Sequence, residues 1–474
     1  MRIPSIALIV SIAGAACGSG SAETLPPAGD AATAAAPRPL ATLWGAPTLV
    51  DENPDPDIVE VHLKAASGRA VINGKEVSLL TYNGTSPGPI LQARPRQRVI
   101  VHFENGLAEP TTVHWHGLRI PDAMDGSPMI QAPIPAGGTF TYDFLVPDAG
   151  SFWYHPHVNT HDQLERGLYG ALIVQGRDDP LYDLERSLVL DDVRLDASGA
   201  IAPPSVEGLD GLTGRWGDVF LTNGAIAQAS TATARRGQVE RWRLLNSANA
   251  RLMEVRTEGA VRVRLIATDG GLLPAPIDVH EPLTLAVGGR LDLEVSYEAA
   301  GDAKLLAASG SETPVTMLAV KVEGGPDAPR AIPWPSVTPA IPERAATARF
   351  DMLFDFDTSG GGAAWTVNGQ AHWMAPILAV DAGATVTMRL ANGTGGVAHP
   401  FHLHGQFFRV LDDPKWPGVR DTVMVPAIGP ITIVAYLDNP GRWMAHCHIL
   451  EHVALGMMAE IEVRPRAAPT TGPR

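Results

Sequence analysis

Cysteine is almost missing from this chain. Among 474 residues there are two, Cys17 and Cys447, so no network of disulfides can staple the fold. Basic residues are also in short supply. There are 36 Lys and Arg against 51 Asp and Glu, a formal charge of -15, which argues against a general nucleic-acid binder. Charged residues are only 18% of the chain and hydrophobic ones 45%, so a packed core is feasible and disorder is not the default. Nowhere does an apolar run reach the length needed to span a bilayer. The one candidate, about Ile6 to Ala16, is too short. It follows a single arginine in "MRIPSIALIVSIAGAACGSGSAET" and reads as a signal peptide over 1–22. There is no twin-arginine pair, so general secretory export is expected. Cleavage before Cys17 in "GAAC" would leave a lipid anchor; cleavage after Ala22 would release the protein. Either way a periplasmic or cell-surface location is expected. Cys447 is then a lone thiol in an oxidising space, a hazard unless something occupies it.

What the chain does have is glycine (48) and proline (41), the composition of short strands joined by many turns. Residues 23–45 are rich in Ala, Gly, Pro and Thr and are expected to be a flexible tether. Beyond them the pattern is alternating: "QRVIVHFENGL", "VERWRLLN", "VRVRLIATDGG" and "RLDLEVSY" all read as strands. A cadence recurs three times. "LTYNG", "FLTNG" and "WTVNG" each precede a variable insert, a turn, an alternating strand and an Asn. Three copies imply three related β domains, placed at 46–177, 178–325 and 340–465. The Pro-rich stretch 326–339 is expected to be a linker, and 466–474 a tail. The expected class is all-β, a set of sandwiches.

Ten of the 15 histidines fall in four tight groups: "HWH" (114–116), "HPH" (155–157), "HPFHLH" (399–404) and "HCHILEH" (446–452). Residues i and i+2 of a strand point to one side. His114 with His116, His155 with His157, His402 with His404 and His446 with His448 would then be four pairs of imidazoles, suited to a cluster of borderline metal ions. Cys447 must point away from His446 and His448. His452 follows it by five residues and Met457 by five more, and His399 is within the other third-domain group. Two histidines, a cysteine and a weak axial methionine are the ligand set of a blue copper site. Zinc also takes Cys and His, but it cannot change valence, which would leave the adjoining pairs without a purpose. The remaining histidines, His62, His102, His161, His280 and His372, read as ordinary surface or core residues.

These motifs resemble those of multicopper oxidases, in particular three-domain bacterial laccase-like members, over nearly the whole mature chain. The resemblance implies cupredoxin-like Greek-key β-sandwich domains and four copper ions. It places a type 1 copper on His399, Cys447, His452 and axial Met457. It places a type 2 copper on His114 and His402, and a type 3 pair on His116, His155, His157, His404, His446 and His448. It implies that a small reducing substrate (a phenol, an aromatic amine, Cu(I) or Fe(II)) gives single electrons to the type 1 site. These would pass through Cys447 and its neighbours His446 and His448, and dioxygen would be reduced by four electrons to water. Asp125, in "MDGSP", matches a family position near the trinuclear site. It is expected to deliver protons or tune a bound water, with a plain turn-forming Asp-Gly as the alternative. Many bacterial relatives carry a glutamate directly after the last histidine of the motif; here that residue is Val453. The loop 412–426 is expected to border the type 1 site. The alternatives are a blue copper electron-transfer protein, which needs only His399, Cys447, His452 and Met457, and a copper-free structural protein of the same fold.

Overall fold

A computed structural model describes residues 39–466, apart from 326, 327, 343, 360–362, 374 and 412. The leader, Cys17, most of the tether, Asp412 and the tail beyond 466 lie outside the described residues. The described residues are mainly β-strands arranged as six sheets, with three short α-helices between them, in agreement with the all-β expectation.

The Asn-Gly dipeptides set the hairpins. Asn73-Gly74 and Asn223-Gly224 each form a two-residue turn with both residues at positive φ, closing Ile72 on Lys75 and Thr222 on Ala225. Asn83-Gly84 and Asn368-Gly369 do the same at positive φ, bridging Tyr82 to Thr85 and Val367 to Gln370. Asn and Gly tolerate that conformation, and its twist matches the flanking strands.

The threefold cadence is repeated in the connectivity. One sheet of each sandwich contains a parallel pair: Ile58–Ile72 with Arg98–Asn105, Leu184–Val193 with Val239–Asn246, and Ala348–Asp357 with Ala384–Asn392. The facing sheets contain a second: Gly88–Ala93 with Gly170–Val174, Thr231–Arg235 with Val315–Glu323, and Pro376–Asp381 with Met458–Arg464. Each sandwich has its own apolar core, built around Trp115 and Phe103, around Trp242 and Leu293, and around Trp443 and Phe401. Leu43–Trp44, inside the stretch read as a tether, adds a short parallel strand to Leu184–Val193. The Pro-rich stretch carries no strand or helix among its described residues, and Trp334 donates from its indole to the Leu273 carbonyl at 3.2 Å.

The strands of the second sandwich depart from a simple alternation. Val239–Asn246 and Arg290–Tyr297 are buried along their whole length. Their charged faces are covered too, and Ser151 of the first sandwich donates to Asp292 at 2.8 Å. Among the described residues no helix is long and apolar enough to cross a membrane.

Candidate metal centre

The four histidine motifs sit at the ends of neighbouring strands. His114–His116 pairs with Gly150–His155, so that His114 faces His155. His399–Leu403 pairs with Gly441–Cys447, so that His402 faces His446 and Phe401 faces Cys447. Only the first His-x-His pair lies wholly inside a strand. The strands end at His155, Leu403 and Cys447, so His157, His404 and His448 sit just beyond them. Strand alternation alone therefore does not aim those three rings; the turn after each strand does.

The result is one buried cage. His114 stacks on His404 with centroids 3.9 Å apart, and His116 on His402 at 3.6 Å. His448 lies 5.1 Å from His116 and 5.5 Å from His155; His157 lies 5.2 Å from His446. All eight rings are buried. Six of them, His114, His116, His155, His402, His404 and His446, have an outer nitrogen engaged. Nδ1 of His114, His155, His402 and His446 donates to the carbonyls of Asp125 (2.9 Å), Pro156 (2.9 Å), Asp421 (3.0 Å) and Cys447 (2.6 Å). That fixes the tautomer and leaves Nε2 as a lone-pair donor.

The inner nitrogens have no partner. Nε2 of His114, His155, His157 and His402, Nδ1 of His116, and both nitrogens of His448 are buried without a hydrogen bond. Nε2 of His404 and of His446 face one another at 3.0 Å. A buried polar atom without a partner is costly, so this set fits metal ions. Donor atoms of His114, His116 and His155, of His114, His402 and His404, and of His157, His404 and His446 each fall within 4.8 Å of one another. Burial favours the neutral imidazole at seven of the eight rings: His404 is pushed down to about 3, His402 is lowered, and His116, His155, His157, His446 and His448 lie well below the ordinary value. Neutral imidazole is the form that binds a metal.

The other face of the same strand carries the sulfur site. Cys447 Sγ is 3.7 Å from Nδ1 of His399 and 3.7 Å from Nδ1 of His452, and these three form a further metal-capable group. Met457 is fully buried in the same core cluster, and its carbonyl accepts the Cys447 N–H at 3.1 Å. Burial pushes the Cys447 thiol well up and His399 down to about 4. Cys447 is free of any disulfide. Trp365 covers the site, its ring 4.1 Å from His452 and its indole N–H donating to Gly211 O at 2.8 Å. The outward Nε2 of His452 donates to Leu212 O at 3.2 Å.

Asp125 is buried against the cage. Its carboxylate accepts from His404 Nδ1 at 2.8 Å and lies 3.3 Å from His114 Nδ1. Burial acts to raise its carboxyl, but the two imidazoles outweigh it and hold it well below the usual range. The side chain meets the outer edges of both rings, the geometry of a group that orients them. Val453 packs with Met444, Met458, Met129 and Trp373, an apolar cluster. His161 is on the helix Thr160–Glu165, outside these groups.

Two residues here were not foreseen. Asp421 accepts from His116 Nε2 at 3.2 Å and pairs bidentately with Arg290 at 2.7 and 2.5 Å. Arg290 comes from the second sandwich and also donates to Ser151 O of the first at 2.9 Å. Thus all three sandwiches meet at one carboxylate. The glycine of "HWHG" makes room for it: a Cβ on Gly117 would lie 2.5 Å from both Arg290 Nη2 and Asp421 Oδ2. The loop 412–426 accordingly has two roles. Val425 faces His399 in strand register, while the Asp421 end serves the cage.

Comparison with known proteins agrees with this geometry. Multicopper oxidase family models match residues 64–179 and 345–467. The chain is 32% identical to multicopper oxidase MmcO of Mycobacterium tuberculosis, over 85% of this chain and 87% of that protein. Its fold superposes on the Campylobacter jejuni multicopper oxidase, described as a metallo-oxidase, with TM-score 0.77 and 26% identity, covering 90% of this chain and 96% of that one. It superposes equally on a laccase-like multicopper oxidase of Ochrobactrum sp., described as having oxidase activity towards lignin model compounds and lignosulfonate. That match has TM-score 0.77 and 26% identity and covers 88% and 99%. The chain belongs to the multicopper oxidase family. It is a copper-dependent oxidoreductase that oxidises a reducing substrate at the expense of dioxygen.

Proposed function

We propose that the chain holds four copper ions. His399, Cys447, His452 and axial Met457 hold the type 1 ion. His114 and His402 hold the type 2 ion. His116, His155, His157, His404, His446 and His448 hold the type 3 pair. The observation that carries this is the two-faced strand end. Cys447 meets two imidazole nitrogens at 3.7 Å on one side, and its chain neighbours His446 and His448 present theirs on the other. Copper supplies one-electron storage and the four-electron reduction of dioxygen to water. The protein's part is to keep the two ligand sets one residue apart, about 3.3 Å of strand rise, and to fix the rings of His114, His155, His402 and His446 through their backbone acceptors. The eight cage histidines speak for an oxidase over a blue electron carrier, and the intact ligand set speaks against a copper-free scaffold.

For the donor, the surface over His452 favours electron-rich phenols and aromatic amines over Cu(I) or Fe(II). The helix Gly208–Thr213, whose Leu212 carbonyl meets His452, exposes Leu209 and Leu212. The two leucines give an apolar face that suits an aromatic ring, and the carboxylate of this helix, Asp210, is taken up by Arg194 at 2.8 and 3.0 Å. Changing Leu209 to Asp should lower kcat/KM for phenols about tenfold and leave Cu(I) and Fe(II) oxidation unchanged; an equal loss for all donors would remove this preference. Export is proposed from the leader alone. A mature N-terminus at Cys17 would make the protein lipid-anchored, and one at Glu23 soluble.

Copper analysis with visible and EPR spectra tests the reading. Four coppers per chain, a thiolate-to-copper band and a separate type 2 signal are expected. One copper and no type 2 signal would reduce the protein to an electron carrier.

A further inference from the structure

Every preassembled metal-capable group among the described residues belongs to the buried centre. A different arrangement lies on the outer face of the first sandwich. Strands Ile58–Ile72 and Arg98–Asn105 run parallel, and their register sets His62 directly beside His102. Both rings are on the solvent side, with centroids 4.9 Å apart. Each has a carboxylate at hand. His102 Nε2 is 2.8 Å from Glu60 Oε1, and His62 Nε2 is 3.6 Å from Glu52 Oε2.

The carboxylates are held there by the backbone. Glu52 N–H donates to Glu60 O at 2.9 Å, and Glu60 N–H to Asp51 Oδ1 at 3.0 Å, so the acidic run Asp51 to Asp57 is laid along the strand. Nearby cations do not offset it. Lys64 is paired with Glu104 at 2.7 Å and Arg98 with Asp143. His62 and Glu52 also line a shallow surface pocket of about 290 Å³ with Asn83 and Thr85.

We propose that His62, His102, Glu60 and Glu52 form a surface site for a divalent first-row transition-metal ion, separate from the copper centre. Two imidazoles and carboxylate oxygen are the donors such ions take. Bonds of about 2.0–2.1 Å at tetrahedral angles put neighbouring donors roughly 3.3 Å apart. Within the pairs the His–carboxylate separations, 2.8 and 3.6 Å, bracket that value, and the ion has to draw the two pairs together. The exposed side chains close on the ion by rotation, so the ion assembles the site and binds more weakly than the centre does. None of the four residues belongs to the copper centre, and the proposal does not depend on the oxidase reading.

Zn²⁺ is the probe, because elemental analysis distinguishes it from resident copper. On equilibrium dialysis the copper-loaded protein should retain one Zn²⁺ per chain. His62→Ala and His102→Ala should each abolish that uptake. Glu60→Gln should weaken it about 10- to 100-fold. All variants should keep their visible spectrum, which reports that the fold and the copper centre are intact. No uptake by the parent would mean that the four side chains form ion pairs only. Equal uptake by the double His62→Ala/His102→Ala variant would place the ion elsewhere. Either result overturns the proposal.

Discussion

In the second sandwich, Arg186 is paired with Glu240 at 2.7 and 2.8 Å, Arg241 with Asp292 and Asp179, and Arg243 with Glu185 and Asp292. All are buried, and each guanidinium has its carboxylate. The cage between the first and third sandwiches buries eight imidazoles, and seven of their nitrogens have no partner. Burial is the same in both regions, but partnership is not. Folding tolerates buried charge when it is paired within the protein. Single unpaired atoms such as Ser296 Oγ occur in the second sandwich too, but seven converging imidazole nitrogens left unpaired together fit a partner from outside. The difference separates a structural polar layer from a binding site, and it can be tested from both sides.

The largest effect is expected at Cys447. Cys447→Ser should abolish the blue band and oxidation of phenols while the cage still loads copper, checked by EPR of the type 2 ion. Full phenol oxidation by that variant would sink the idea that the strand end joins the two sites. The second sandwich should respond in stability. Asp292→Ala leaves Arg241 and Arg243 short of a partner and should cost about 3–5 kcal/mol, read by denaturant unfolding, with the copper spectra of the folded protein unchanged. A change in the type 2 signal would mean that the polar layer also shapes the cage.

Carboxylates at the edge of the cage should give an intermediate response. Asp421→Asn and Asp125→Asn each weaken the hold on two rings and should lower cage copper affinity or oxygen reduction about 10- to 100-fold, leaving the blue band in place. For Asp125, reoxidation of the reduced enzyme should slow more than substrate oxidation. An unchanged reoxidation rate would return Asp125 to a turn residue.

The smallest effect is a pH slope in the copper-free protein. Burial lowers His116, His155, His157, His402, His446, His448 and His452 below the unfolded value of about 6.5, with His399 near 4 and His404 near 3. Below about 6.5 the unfolded chain takes up protons that the folded cage refuses, so stability is lost as pH falls from there towards 3. Copper loading should shift this loss to lower pH, as ligands are then held deprotonated. A melting temperature flat from pH 7 to pH 4 in the copper-free form would contradict this.

Much of this was legible in the sequence because the signals are local. The Asn-Gly turns, the His-x-His groups and the Cys447–His452–Met457 spacing each sit within a dozen residues, and the all-β class follows from them. What escaped was non-local. "VERWRLLN" and "RLDLEVSY" alternate as if one face were wet, yet both faces are covered, because their arginines find carboxylates on distant strands. Asp421 looked like a loop residue. Its role depends on Arg290, 131 positions away, and no pattern in either segment announces the other. His62 and His102 seemed scattered because strand register, not spacing, sets them side by side.

The most direct test of the central claim is anomalous diffraction from crystals of the copper-loaded protein, measured at the copper edge. Four peaks are predicted: one among His399, Cys447 and His452, and three inside the cage against the unpartnered nitrogens of His114, His116, His155, His157, His402 and His448. A single peak at Cys447 with an empty cage would contradict it, because the buried imidazoles would then be unpartnered without being ligands.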